Sequence, residues 1–244
     1  MINFRYHLVS VTAVFLALAI GLVLGTTALN GPTMDALSET VSSLRGDNES
    51  LRDQVVQLEE DAADEQEFAS EAAPAMLNGV LEDESVAVLS IGAASPEHVD
   101  GVVSMLGHSS AKPVGQLTFT DEFVNPSSSD KLTDLVAELT PSDFDPPNNV
   151  DGVESASALL AAALFAEEPA ISKNDRDAVI TALEELNMVT VDEKLGDGAT
   201  AIVIVTGTPY TDAEAADRNA NTQTFLDQFG QQGPTVVAST YVDG

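Results

Sequence analysis

The sequence predicts an α/β protein in three consecutive parts: an N-terminal transmembrane helix, a parallel dimeric coiled coil, and a distal three-layer domain with a mostly parallel sheet. Three observations lead there. An uncharged apolar run extends from Leu8 to Leu29, a seven-residue leucine pattern starts at Met34, and beyond Pro74 continuous β-branched runs alternate with helical patterns. The parts are residues 1–7 as a cytoplasmic head, 8–29 as an anchor, 33–73 as the coiled coil and 80–244 as an extracytoplasmic α/β domain.

In the apolar run only Ser10, Thr12, Thr26 and Thr27 are polar. At the helical rise the run reaches roughly 33 Å, enough for a hydrocarbon core of ~30 Å. A cleaved signal peptide has a shorter apolar stretch of roughly 7–15 residues, so the run reads as a retained signal anchor. The alternative is cleavage, since Thr26 and Ala28 form a small-x-small pattern before Leu29. Arg5 and the amino terminus precede the run, whereas the next basic residue is Arg45. The positive-inside bias therefore leaves the N-terminus in the cytoplasm of a single-pass inner-membrane protein, with the rest outside. Ala17, Gly21 and Gly25 lie four apart, the spacing at which small residues let two membrane helices approach.

From Met34 a heptad register runs unbroken. Met34, Val41, Asn48 and Val55 take the a positions, and Leu37, Leu44, Leu51 and Leu58 the d positions. Pro32 sits near the expected helix start, with Asn30 or Thr33 as its cap. Valine at a with leucine at d favours two parallel strands, and a buried Asn48 pair is satisfied only in a matched two-stranded register. Asp47 at g and the following e residue, Arg52, are placed to attract across a homodimer. The other reading is one amphipathic helix lying on the downstream domain, and Gly46 weakens the helix in either case. The narrow apolar face favours the coiled coil. Pro74 is the expected end of the stalk.

Beyond it, Ser85–Gly92, Thr200–Gly207 and Pro234–Thr240 read as strands buried on both faces, with Val114–Phe119 as a weaker fourth. Helical patterns lie at Pro96–Leu106, Ser129–Leu139, Val153–Phe165, Asn174–Leu186 and Thr222–Phe229. This alternation implies βαβ units and a Rossmann-like three-layer arrangement.

Composition narrows the chemistry. Forty acidic residues against 9 basic give a formal charge of −31. Such a chain repels nucleic-acid phosphates and anionic lipid headgroups, so neither is an expected partner. There is no Cys, which removes disulfides and thiolate chemistry together. The loop "GAASPEH" follows the first strand where a Rossmann domain grips pyrophosphate, but GxGxxG is missing. With "TGTPYTD" it forms the one place where an unrecognised enzyme site could lie. Asp121 and Glu122 are adjacent, point apart if extended, and read as a solvated loop. His7, His98 and His108 lack ligand spacing, and the five Met residues are scattered, so no soft copper site is expected within one chain. No cofactor and no catalytic residue are assigned, and the expected protein is not an enzyme.

The stretch "HLVSVTAVFLALAIGLVLG", after a short head containing Arg5, resembles the actinobacterial MctB family, the copper transport outer-membrane protein family. The likeness continues through the heptad segment and "VAVLSIG". It implies a membrane-proximal coiled coil carrying an α/β domain in the envelope, and two rival roles. One is copper transport, with copper as cargo and an outer-membrane location. The other belongs to SteB-like corynebacterial members, which pair with the membrane protein SteA and influence peptidoglycan hydrolysis in cell separation. The resemblance also implies that the sequence given stops, soon after "TVVAST", where mycobacterial members continue, which weighs against the transport role. Neither role comes with a pore. A single helix encloses none, and no series of ~10-residue alternating strands with aromatic girdles marks a β-barrel. The expected function is therefore a non-enzymatic scaffold acting with a SteA-like protein and other envelope proteins, with copper efflux as the alternative.

Overall fold

The computed structural model describes residues 4–142, 144–147, 151–166 and 171–239, with side chains from residue 6 except at 26–33 and 36. The chain divides into two units, Met1–Ala69 and Ser70–Gly244.

The first unit is helical throughout its described residues. Helix α1 spans Phe4–Leu77 and continues into the second unit. Within it Tyr6–Gly25 is the one helix among the described residues long and apolar enough to cross a membrane. The side chain of Arg5, on which the orientation rests, lies outside the described residues, as do those of 26–29 at the end of the expected span. The expected interruption before the heptad segment is absent, because α1 passes through Pro32 unbroken. An interior proline removes one backbone hydrogen bond and costs about 3 kcal/mol, and its neighbours Asn30, Gly31 and Thr33 are weak helix formers, so local propensity does not explain the continuity. Pro74 does not end α1 either. It falls in the last turn, and the chain leaves the helix at Leu77, two residues before Gly79, whose φ of 76° is the left-handed conformation that terminates helices.

The second unit is built on a five-stranded sheet of order β3-β2-β1-β4-β5. Its strands are β1 (Ser85–Ile91), β2 (Lys112–Phe119), β3 (Val189–Glu193), β4 (Ala201–Thr206) and β5 (Thr235–Ser239). β1 pairs in parallel with β2 and β4, and β4 with β5, while β3 is an antiparallel edge strand. The sheet is open, and mostly parallel as expected. The strand missing from the sequence reading is β3, five residues long, with only Val189 buried.

Helices α2 (Pro96–His108), α3 (Asp121–Val124), α4 (Ser129–Leu139), α5 (Gly152–Leu164), α6 (Lys173–Glu185) and α7 (Ala215–Gln232) complete the unit. The layers are unequal. One sheet face, carrying Leu89, Leu117, Ile202 and Ile204, packs into the large core beneath α4 to α7, and α5 is buried almost all round. Among the described residues the opposite face carries α2, whose Val99 meets Val88 and Val205. Successive residues of a strand point to opposite faces, which is how Ile204 and Val205 serve different layers. Four rings join α3 and α7 to the sheet: Phe119, Phe123 and Phe225 meet edge-on with centroids 4.9–5.6 Å apart, and Phe229 lies 4.6 Å from Phe225.

Candidate functional site

In strand order β3-β2-β1-β4-β5, the chain turns to one side after β1 and to the other after β4. Beyond the carboxyl ends of β1 and β4 lies the switch point at which open α/β sheets place their ligands. The structure brings "GAASPEH" and "TGTPYTD" together there. Gly92 and Ala93 adopt left-handed φ values of 67° and 53°. Gly207 packs so tightly on the Gly92 and Ala93 carbonyls that a Cβ would collide with both. Carbonyl oxygens thus occupy the gap where a pyrophosphate-binding loop would turn its N–H groups to the ligand. The gap is closed.

The open space lies to one side, between the ends of β4 and β5 and the first half of α7. It is a cleft of about 290 Å³ lined by Thr206, Tyr210, Asn219, Thr222, Gln223 and Leu226 among others. The α7 positions recur at helical spacing, so one helix face forms the wall. Tyr210 sits on the rim under several constraints. Its N–H donates to Asn219 Oδ1 at 2.9 Å, its carbonyl accepts from Asn219 Nδ2 at 3.1 Å, and its hydroxyl donates to Asp121 Oδ1 at 2.7 Å. Burial, and then the hydrogen bond to the Asp121 carboxylate, push the phenol well above its ordinary value near 10. The Arg218 guanidinium stands 5.2 Å from the ring centroid, and its terminal nitrogens reach Asp212 at 3.4 Å and Glu214 at 3.6 Å. These long pairs to exposed carboxylates contribute little, ~0–1 kcal/mol each. Arg218 Nε is buried without a partner among the described residues.

Asp121 and Glu122 do not form the expected solvated loop. They open α3, capped by Thr120, and face different partners. Asp121 accepts from Tyr210, while Glu122 accepts from Ser128 at 2.9 Å and Lys131 at 3.1 Å. The Ser128 hydroxyl, then Lys131, hold the Glu122 carboxyl below its usual range.

The dimer residues assigned from sequence lie on α1. Met34, Leu37, Val41, Leu44, Leu51, Val55 and Leu58 are all exposed in the single chain, Leu58 by 67%, and Asn48 is exposed between them. Ala17 is exposed, and Gly21 and Gly25 have nothing within 4 Å of an added Cβ. Among potential soft-metal ligands, Met188 is fully buried in the core and Met76 is exposed. His98 and His108 stand near opposite ends of α2. Among the described residues no three His, Asp or Glu side chains group to hold a metal ion.

Comparison with known proteins identifies the lineage. The family model described as "Copper transport outer membrane protein, MctB" matches residues 1–243. The copper transporter MctB of Mycobacterium tuberculosis (strain ATCC 25618 / H37Rv) is 28% identical over 221 residues, 87% of this chain and 70% of that protein. The copper transporter MctB of Mycobacterium leprae (strain TN) is 28% identical over 232 residues, 87% of this chain and 71% of that protein. With an N-terminal helix of membrane-spanning length, a mixed α/β unit and a family match across nearly its whole length, the chain belongs to the MctB family.

Proposed function

We propose that this protein is a membrane-anchored, non-enzymatic scaffold of the cell envelope. Tyr6–Gly25 crosses the inner membrane once with the N-terminus in the cytoplasm, and the heptad segment joins two copies. The α/β units are presented to envelope partners, a SteA-like membrane protein among them, in cell separation and the control of peptidoglycan hydrolysis. The observation that carries the reading is the exposed stripe from Met34 to Leu58. A seam of leucine and valine at a/d spacing on a helix that buries none of it calls for a second helix.

The test is a disulfide across the seam. Full-length protein carrying Asn48→Cys, oxidised in detergent at low micromolar concentration, gives a covalent dimer, whereas cysteine at the outward-facing Glu49 does not. A monomer with no crosslink at position 48 defeats the proposal.

A second reading is favoured by the relatives, which are named copper transporters. On that reading the protein contributes to copper efflux and resistance in the outer envelope, with copper as cargo. The donor set gives it little help, because copper(I) prefers Cys or clustered Met, and the chain has no Cys. Deleting the gene separates the two. Chained, unseparated cells with ordinary copper tolerance support the scaffold, and copper sensitivity with normal separation supports efflux.

A further inference from the structure

The geometry points to the cleft between α7 and the ends of β4 and β5 as a binding site for a small, uncharged, hydroxyl-bearing molecule of about monosaccharide size. This inference is independent of the scaffold role.

Its floor is Thr206. That residue is 8% exposed, lines the cleft, and among the described residues has no hydrogen-bond partner for its hydroxyl. Its Oγ1 is not among the described side-chain atoms that are buried without a partner, so it faces the water of the cleft, which a ligand hydroxyl can replace. The walls hold further unused capacity. Thr222 Oγ1 donates to the Arg218 carbonyl at 2.9 Å and keeps its lone pairs free to accept. Gln223 Nε2 donates to Asp227 at 2.8 Å, leaving its carbonyl oxygen. Asn219 Nδ2 donates one hydrogen to the Tyr210 carbonyl and keeps the other. The open positions are therefore a mixture of donors and acceptors. A hydroxyl, which does both, is the group that matches such a mixture.

Charge sets the class. None of the lining residues is basic or acidic. Of the charged groups beside the lining residues, Arg218 is turned to Asp212 and Glu214, Asp121 is held by the Tyr210 hydroxyl and Asp227 by the Gln223 amide. An anion would meet no counter-charge in a chain of −31. Leu226 and the Tyr210 ring offer apolar surface for the C–H face of a sugar or cyclitol. The volume is at the lower end of the range of roughly 300–1,000 Å³ usual for small-molecule sites.

Full-length protein in a polyoxyethylene detergent, which has no sugar headgroup, is titrated with glucose, N-acetylglucosamine and myo-inositol. Saturation-transfer NMR and calorimetry provide the readout, with glucose 6-phosphate and glucosamine as charged comparisons. At least one neutral probe binds saturably, and its phosphorylated or cationic counterpart binds more weakly. Thr206→Val, which keeps the shape of the side chain, weakens that binding roughly tenfold, and Thr206→Ser restores it. Should Thr206→Val lose its melting transition, Gln223→Leu at the exposed rim takes its place and weakens binding likewise. The site is refuted if no neutral probe saturates, if the folded valine or leucine variant binds as the wild type does, or if glucose 6-phosphate binds best.

Discussion

The Tyr210 hydroxyl donates a 2.7 Å hydrogen bond to Asp121 Oδ1, tying the loop after β4 to the helical turn after β2. These residues are far apart in sequence and meet because β2 and β4 flank β1. Burial first, and then the bond, favour the protonated phenol, since ionising it would bring two negative charges together. A raised folded-state value places the stability from this bond fully below pH ~10 and loses it as pH climbs above that point. Tyr210→Phe should therefore lower stability by about 1 kcal/mol at neutral pH, the value for a partly exposed hydrogen bond to a charged acceptor. The deficit should hold up to pH ~10 and shrink above it. Calorimetric melting of both proteins from pH 7 to 11 checks this, and a constant deficit across that range would count against the bond.

Glu122 gives the opposite sign. Its carboxylate is held below 4.5 by Ser128 and Lys131, so its contribution is present above that pH and disappears as pH falls through the lowered value. Glu122→Gln should be less stable than wild type at pH 6 and equal to it in sufficiently acid solution. The group is partly exposed and its ion pair screened, so the gap should be well under 1 kcal/mol and narrow further in high salt. Melting temperatures measured against pH at two ionic strengths decide the matter.

Ser157 is fully buried in α5, and its hydroxyl has no partner among the described residues. Replacing it with alanine removes an unsatisfied polar group and supplies a better helix former. Ser157→Ala should stabilise the second unit by about 1 kcal/mol, seen as a higher denaturation midpoint. A loss of stability of that size would mean that the hydroxyl has a role that packing alone does not show.

These features differ in how far the sequence announced them. β1 and β4 were legible because "VAVLSIG" and "AIVIVTG" are nearly continuous apolar runs, broken only by Ser90 and Thr206, the pattern of strands buried on both faces. The bounds of α4 were legible because leucines at 132, 135 and 139 keep helical spacing between polar loops. β3 was not, since an edge strand needs few inward residues and "VTVDE" has two valines among polar neighbours. The first turns of α7, "AADRNAN", carry no apolar stripe, and their face becomes meaningful only when β4 places Thr206 opposite Thr222 and Gln223. The closed gap at Gly207 was equally hidden. A glycine after a strand reads as a turn, and its need for closeness to Gly92 emerges only from the parallel register of β1 with β4.

Asn48 offers the sharpest test of the proposed dimer, because its substitution should raise stability while lowering specificity. A lone asparagine at an a position selects two strands and one register at a cost in stability, since its amide is satisfied only by its twin. With valine there, the seam from Met34 to Leu58 becomes uniformly apolar. Asn48→Val should therefore raise the melting temperature of the full-length dimer. It should also broaden its mass distribution, with trimers or tetramers joining the dimer in sedimentation at matched detergent density. If position 48 instead faces water in a lone helix, the substitution should leave both the association state and the melting temperature unchanged. A wild type that sediments as a monomer at every accessible concentration would remove the seam from the account altogether.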